Sequence, residues 1–392
     1  MSVLSEKEIS TLLGPTGRAR SLPSRIYFSP EFYDFDRSEI FAKGWMAVGF
    51  GAEIPAAGSI KPIQFAGYEL LLVRDNDMEI HCFHNICRHR GYKLVHESAR
   101  GQRKMSCKYH CWTYALTGEL TGTPHIDGIK VSDHDALDKP NLGLLEIRTE
   151  IWFDMVFVNL DGNAPPLSEH LAAVDERLAT QDFDAVESEG VFVDYVRNAN
   201  WKIVIETGIE DYHLPFVHSI LDYNPTYTDE NAGDVYQGFS ADWDIERLAM
   251  RADPEHGGEI SKPLPLLPSY EGKEKGESVV LFLLPTGQIT IGANMIRLTT
   301  LNPVAVDKTI LHHAFYFRGE AAYSEEYAIA RREIIDFWKL VGDEDDDLMA
   351  IMQSMSLAKH EAGLLGAYSP RWERNLHQFH HYLGRQYGPK TD

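Results

Sequence analysis

Cys87-Arg88-His89-Arg90-Gly91 and Cys107-Lys108-Tyr109-His110 are the two stretches that decide how this chain is built. The pattern is Cys-x-His, seventeen residues, then Cys-x-x-His, so each half puts one thiol and one imidazole on a tight loop. Two thiolates can hold one iron of a 2Fe–2S cluster and two imidazoles the other. Neutral imidazoles in place of anionic thiolates raise the reduction potential, which suits a centre that passes electrons onward. Four such donors also suit tetrahedral zinc, but zinc fingers group their cysteines before their histidines. Here each half mixes the two, which favours the cluster. Cys82 and Cys111 fall outside the pattern and read as small buried hydrophobes.

The rest of the composition agrees with a metal reading. All four cysteines lie between positions 82 and 111 of a 392-residue chain, too clustered for a disulfide scaffold. The net charge of −22 disfavours nucleic acid and anionic lipid as partners. The start, Met1-Ser2-Val3-Leu4-Ser5-Glu6-Lys7-Glu8, lacks the apolar core of a secretion signal. Apolar runs such as Val279–Leu284 are strand-sized, far short of the roughly 20 residues that cross a bilayer. A cytoplasmic location without membrane attachment is the expectation.

The length allows two or three domains. Residues 1–40 read as a helical lead-in packing on the catalytic domain, 41–163 as a β-rich cluster domain, and 164–392 as a catalytic domain. Strands are expected at Ile60–Phe65, Glu69–Val73, Glu79–Phe83, Leu144–Thr149 and Met155–Leu160, with a turn at Asp75-Asn76-Asp77. Ala164-Pro165-Pro166 punctuates the boundary. Beyond it, helices are expected at Leu167–Thr180, Trp201–Tyr212, Tyr323–Val341 and Trp372–Leu383. Strands are expected at Phe192–Arg197, Val279–Leu284, Ile289–Thr300 and Thr309–Phe317. The fold class is α+β, a sheet packed on helices in the second domain.

A second constellation runs from Asn200-Trp201-Lys202 through Glu206 and Glu210 to Tyr212-His213 and His218. Two histidines and an acid can form the facial triad of a non-haem iron oxygenase, leaving one face open for O₂ and substrate. On a regular helix, residues five apart diverge by about 140°, so a break at Pro215 is expected to turn His213 and His218 to one point. Glu210, three residues before His213, would share its face. The acids from Asp343 to Asp347 stand before Met349–Met355, where the bland reading is a helix N-terminus. His377, His380 and His381 read as a helix face without a partner carboxylate. Gly49-Phe50-Gly51 is no dinucleotide fingerprint.

Together these motifs resemble the α subunits of Rieske-type ring-hydroxylating oxygenases, from about residue 25 to 385. The first resemblance lies in Cys87-Arg88-His89-Arg90-Gly91 and in Cys107 to His110 followed by Trp112, Tyr114 and Gly118. It implies a Rieske domain joined to a helix-grip catalytic domain. Cys87, His89, Cys107 and His110 would bind the 2Fe–2S cluster. His213 and His218 would be ligands of a mononuclear Fe(II), and Glu210 would match the carboxylate that bridges the two centres across a subunit boundary. The family carries Glu-Asp with a Gln eight residues after the Asp, so by that resemblance Gln353 makes Asp345 the third iron ligand, with Asp346 as the rival. Glu at position 210 looks like the branch of choline, glycine betaine and carnitine monooxygenases. The resemblance therefore implies O₂-dependent hydroxylation or N-demethylation of a small substrate, with an aromatic ring or acid as the alternative. A quaternary ammonium group wants an aromatic cage; Tyr223, Tyr227, Tyr236 and Trp243 are nearby candidates, though ordinary packing is the better reading. With no flavin or nicotinamide site in the sequence, electrons would come from NAD(P)H through a separate reductase or ferredoxin. A homotrimer is implied as well. Two departures stand out: Cys111 occupies a position usually held by Gly, and Thr207 one usually held by Asn. A Rieske electron carrier would need only about 100 residues, and a zinc-stabilised binding module would be colourless.

Overall fold

The computed structural model describes residues 3–218, 227–245 and 262–389. They form two compact units, Phe41–Leu167 and the combination of Met1–Ile40 with Ser168–Asp392. The lead-in thus groups with the C-terminal unit. No helix among the described residues is long and apolar enough to cross a membrane.

The first unit is built on an antiparallel sheet in the order β1-β9-β8-β4-β3-β2. Its strands are β1 (Met46–Phe50), β2 (Ile60–Phe65), β3 (Tyr68–Arg74), β4 (Ile80–His84), β8 (Glu146–Trp152) and β9 (Met155–Asn159). Asp75 makes the turn between β3 and β4, its Oδ1 accepting from the backbone N–H of Asp77 and Glu79, each at 2.9 Å. A small sheet of β5 (Met105–Ser106), β6 (Thr113–Tyr114) and β7 (Leu120–Gly122) carries the second Cys/His loop. Phe83, Trp112, Tyr114 and Leu116 form a core directly behind both cysteines.

The second unit is an antiparallel sheet in the order β10-β16-β15-β14-β13-β12-β11. The ranges are β10 (Val186–Arg197), β11 (Thr228–Asn231), β12 (Tyr236–Asp244), β13 (Lys275–Leu283), β14 (Gly287–Ile291), β15 (Ile296–Ala305) and β16 (Lys308–Arg318). The single strand expected at Ile289–Thr300 is therefore a hairpin: Ile291 pairs with Ile296 across Gly292-Ala293-Asn294-Met295. The helices are α1 (Glu6–Ile9), α2 (Pro30–Phe35), α3 (Leu167–His170), α4 (Ala172–Arg177), α5 (Trp201–Gly208), α6 (Leu214–Val217), α7 (Ala328–Glu361) and α8 (Arg374–Tyr387).

Two helix expectations need correction. α5 stops at Gly208, not Tyr212, and beyond it the Glu210 carboxylate, not a helical carbonyl, takes the backbone N–H of Tyr212 and His213; Gly208 itself packs against Phe282, where a Cβ would come within 2.4 Å of the ring. α7 does not end at Val341 but runs 34 residues straight through the acidic stretch. The acids therefore sit in mid-helix, and dipole capping does not explain them.

Asn200 caps α5 by accepting from Lys202 N–H at 3.0 Å, and a fully buried ion pair anchors the helix. Lys202 Nζ lies 2.6 Å from Asp36 Oδ2, with both side chains at 0% exposure. Trp201 Nε1 and the Tyr387 hydroxyl donate to the same carboxylate at 2.8 and 2.5 Å. Lead-in, α5 and α8 thus meet at one buried carboxylate.

Candidate metal centres

The two Cys/His loops are built alike. Cys87 N–H donates to Tyr92 O, and Gly91 N–H to Cys87 O. In the second loop Cys107 N–H donates to Trp112 O, and Cys111 N–H to Cys107 O. Each loop closes on a residue in the left-handed region, Gly91 at φ +70° and Cys111 at φ +54°. The geometry buries both cysteines and leaves His110 exposed. His89 Nδ1 and His110 Nδ1 face each other at 3.1 Å, and His89 stacks on Trp112 at 4.8 Å. The donors thus form a sulfur pair at the core and a nitrogen pair at the rim, as a two-iron cluster requires. The Tyr114 hydroxyl lies 3.4 Å from Cys87 Sγ and accepts from Arg88 N–H at 3.0 Å.

In the other unit, Glu210 is not helical. Its Oε2 accepts from the backbone N–H of Tyr212 and His213 at 2.5 and 3.3 Å, and its Oε1 lies 2.5 Å from His213 Nδ1. Pro215 occupies the first turn of α6, where its missing N–H costs nothing. The chain break therefore comes before His213, not at Pro215. His213 and His218 flank α6 as its two caps, which overcomes their five-residue spacing and brings their Nε2 atoms to 3.2 Å. Asp345 Oδ1 lies 3.3 Å from His218 Nε2 and 3.6 Å from His213 Nε2. Asp346 turns elsewhere and pairs with Arg197 at 2.6 Å. Glu344, which sequence reasoning missed, sits 3.0 Å from His218 Nδ1.

Both imidazoles thus give Nδ1 to a carboxylate, Glu210 or Glu344, which leaves both Nε2 lone pairs aimed at one point. Asp345 Oδ1 is buried there without a hydrogen-bond donor. Two lone pairs and a carboxylate within 4.8 Å of one another repel unless a cation joins them. The donor set fits a divalent metal with open positions.

The chain matches the profile of the ring hydroxylating alpha subunit catalytic domain over residues 183–388, and that of the Rieske [2Fe-2S] domain over residues 44–133. It belongs to the ring-hydroxylating oxygenase α-subunit family. It is an oxidoreductase of the Rieske oxygenase class, whose cofactors are a Rieske cluster and a mononuclear iron. The glycine betaine monooxygenase oxygenase subunit of Pseudomonas aeruginosa is 24% identical, over 96% of this chain and 91% of that protein. The 2-aminobenzenesulfonate 2,3-dioxygenase α subunit of an Alcaligenes species is 30% identical, over 74% of this chain and 73% of that one. Among solved structures, the quaternary ammonium Rieske monooxygenase CntA shares the fold, with a TM-score of 0.77 at 21% identity, covering 97% of this chain and 98% of CntA.

Against this family background, Cys111 has a structural reading. Its φ of +54° is a conformation an L-residue adopts only under strain, and its side chain is exposed rather than buried as the sequence suggested. Cys111→Gly should stabilise the Rieske unit by about 1 kcal/mol. Chemical denaturation followed through the cluster's visible absorbance measures this; an unchanged midpoint would show that the strain is absent.

Thr207 returns its hydroxyl to Ile203 O at 3.0 Å within α5. His377 and His380 are buried on α8, and His380 does have a partner carboxylate, because its Nε2 lies 3.1 Å from Glu206 Oε1. A separation of 174 residues hides that pair from any spacing rule. Of the proposed aromatic cage, Tyr223 lies outside the described residues. Tyr236 and Trp243 are seven positions apart on β12, so they point to opposite faces and cannot share a cage. Tyr227 lies 6.1 Å from Trp243, ring to ring, and lines a cavity of about 370 Å³ with Asp211, Asp229 and Trp372.

Proposed function

We propose that His213, His218 and Asp345 hold the mononuclear iron, and that Cys87, His89, Cys107 and His110 hold the 2Fe–2S cluster. The reading rests on one observation above the rest: the Nε2 atoms of His213 and His218 and the orphaned Asp345 oxygen converge within 4.8 Å. When loaded, the cluster supplies single electrons and the iron supplies O₂ activation beside the substrate. The chain's own residues do the positioning. Glu210 and Glu344 hold each ring by its Nδ1–H, fix the tautomer, and raise the basicity of Nε2. α7 brings Asp345 in from the far side of the site, and Gln353, on the same helix, braces α5 by accepting from Asn200 N–H at 2.9 Å.

The reaction favoured by the relatives is mono-oxygenation of a small nitrogenous substrate, by hydroxylation or oxidative N-demethylation, with NAD(P)H electrons delivered by a separate reductase or ferredoxin. Glycine betaine and carnitine monooxygenases support it. An aromatic substrate is the second reading, favoured by the 30% identity to the aminobenzenesulfonate dioxygenase α subunit. Oxygen uptake against a panel of betaines and aromatic acids separates the two.

Glu210 also stands as the carboxylate between the cluster of one subunit and the iron of the next in a homotrimer. The expected result for Glu210→Gln is retention of both metals with turnover slowed about 100-fold, since an amide still accepts from Nδ1–H but carries no charge. Full activity with both metals loaded would remove Glu210 from the route, and a monomer in sedimentation would remove the trimer.

A further inference from the structure

One face of the second unit's sheet is not a normal core. Strand pairing puts Arg197 and Tyr195 of β10, His313 of β16, and Arg297 of β15 on the same side, because Val193 pairs with His313, His313 with Thr299, and Arg297 with Phe315. That side packs toward α7, as Phe315 clusters with Ile334 and Trp338. An apolar face would be expected under a helix. Instead two arginines are buried there, Arg197 at 4% exposure and Arg297 at 8%.

Their charges are not balanced. Arg197 pairs with Asp346. Arg297 has no carboxylate partner among the described residues. It donates to Thr290 Oγ1 at 3.0 Å and lies 4.1 Å over the ring of Trp338. Burial, and then the like charge of Arg197, push its pKa down to about 9, so it remains a cation at neutral pH. His313 adds no charge, since burial holds it well below the usual imidazole range. The donors here are also unspent. The Nε atoms of Arg197 and Arg297, Trp338 Nε1 and the Tyr195 hydroxyl are all buried with no hydrogen-bond partner among the described residues. Four orphaned donors and one surplus positive charge cost several kcal/mol unless something answers them. A dry apolar ligand would not.

The place matters as much as the charge. Trp338 is seven residues, two turns, before Asp345 on α7, so the two share a face about 10 Å apart. Gly342, between them, leaves room for the Arg197 guanidinium, whose Nη2 would lie 2.4 Å from a Cβ at that position.

We propose that this pocket of donors, centred on Arg297 with Arg197 and Trp338, binds the carboxylate or sulfonate head of the substrate and so holds its other end at the iron. The enzyme is then specific for small organic acids, zwitterionic or aromatic. This deepens the proposed function and rests on its placing the iron at Asp345.

The test is ligand binding to the metal-loaded enzyme without turnover, under anaerobic conditions, read by quenching of tryptophan fluorescence. The probes are glycine betaine, benzoate and benzenesulfonate, each against a neutral-headed counterpart: betaine methyl ester, benzamide and benzenesulfonamide. At least one acid should bind, and tighter than its counterpart by about tenfold or more, the worth of a charge-assisted hydrogen bond. The betaine and aromatic arms tell which kind of acid is held. Arg297→Met should erase the preference while keeping iron content and melting temperature, because it replaces an unanswered buried charge with an apolar chain; Arg297→Lys should restore part of it. Failure of every acid to bind, or an undiminished preference in Arg297→Met, overturns the proposal. A lower melting temperature in Arg297→Met with the preference intact makes Arg297 structural and overturns it too. Iron content is measured separately, so absence of iron would sink the assigned iron site, and failed binding by an iron-loaded protein would sink only the anion site.

Discussion

Asp345→Ala should leave a protein that keeps its cluster but has lost its mononuclear iron, falling from three irons per chain to two. Oxygen uptake should drop by well over 100-fold, since removing even an outer-shell partner of a metal ligand costs 10–100-fold. The reason is local. Among the described residues, Asp345 Oδ1 is the carboxylate oxygen that meets both Nε2 atoms, and the neighbouring acids have other partners: Glu344 is spent on His218 Nδ1, and Asp346 on Arg197. Neither can swing in without leaving its own partner. Asp346→Asn is the control and should retain iron. Iron and acid-labile sulfide analysis, with the reduced cluster's paramagnetic resonance as an internal standard, checks both variants. Three irons in Asp345→Ala would mean that the helix face has been misassigned.

Lys202→Ala should be the most damaging change outside the metal centres. Asp36 would remain fully buried with its counter-charge gone, and a broken buried pair costs about 3–5 kcal/mol. Burial depresses the Lys202 pKa, and the charge and hydrogen bond of Asp36 oppose this. For a unit of this size the melting temperature should fall by about 10 °C or more. Lys202→Met combined with Asp36→Asn should recover part of the loss, because the two effects share one interaction. Circular dichroism melts of the three proteins settle it; an unchanged melt for Lys202→Ala would mean that the pair contributes nothing. The pair also bears on the metal site, since Lys202 lies on the helix whose end leads to Glu210 and His213.

Local chemistry made much of this legible. The two Cys/His loops are short and self-contained, so the order of cysteine and histidine in each was enough to separate a cluster from a zinc finger. The strands of the first unit are short apolar runs set off by turn residues, and Asp75 hydrogen-bonds its own backbone in one such turn. Those features depend on neighbours within a few residues.

The errors came where a distant partner overrode a local preference. Position 208, at the end of α5, has room only for glycine because Phe282, on a strand more than seventy residues on, fills the space beside it. α7 runs through a crowd of acids, two of which find partners from distant segments, Asp346 with Arg197 and Glu344 with His218 Nδ1. His380 finds Glu206 across most of the catalytic unit. Identity of the motifs, and with it the chemistry, was written in the sequence, since ligand type and spacing are covalent facts. Which acid meets the two histidine Nε2 atoms, which carboxylates hold the histidines, and that two arginines lie buried beside Trp338 were decided only when strands and helices far apart in the chain packed together. Burial and charge balance are properties of that packing and have no meaning for a residue considered alone.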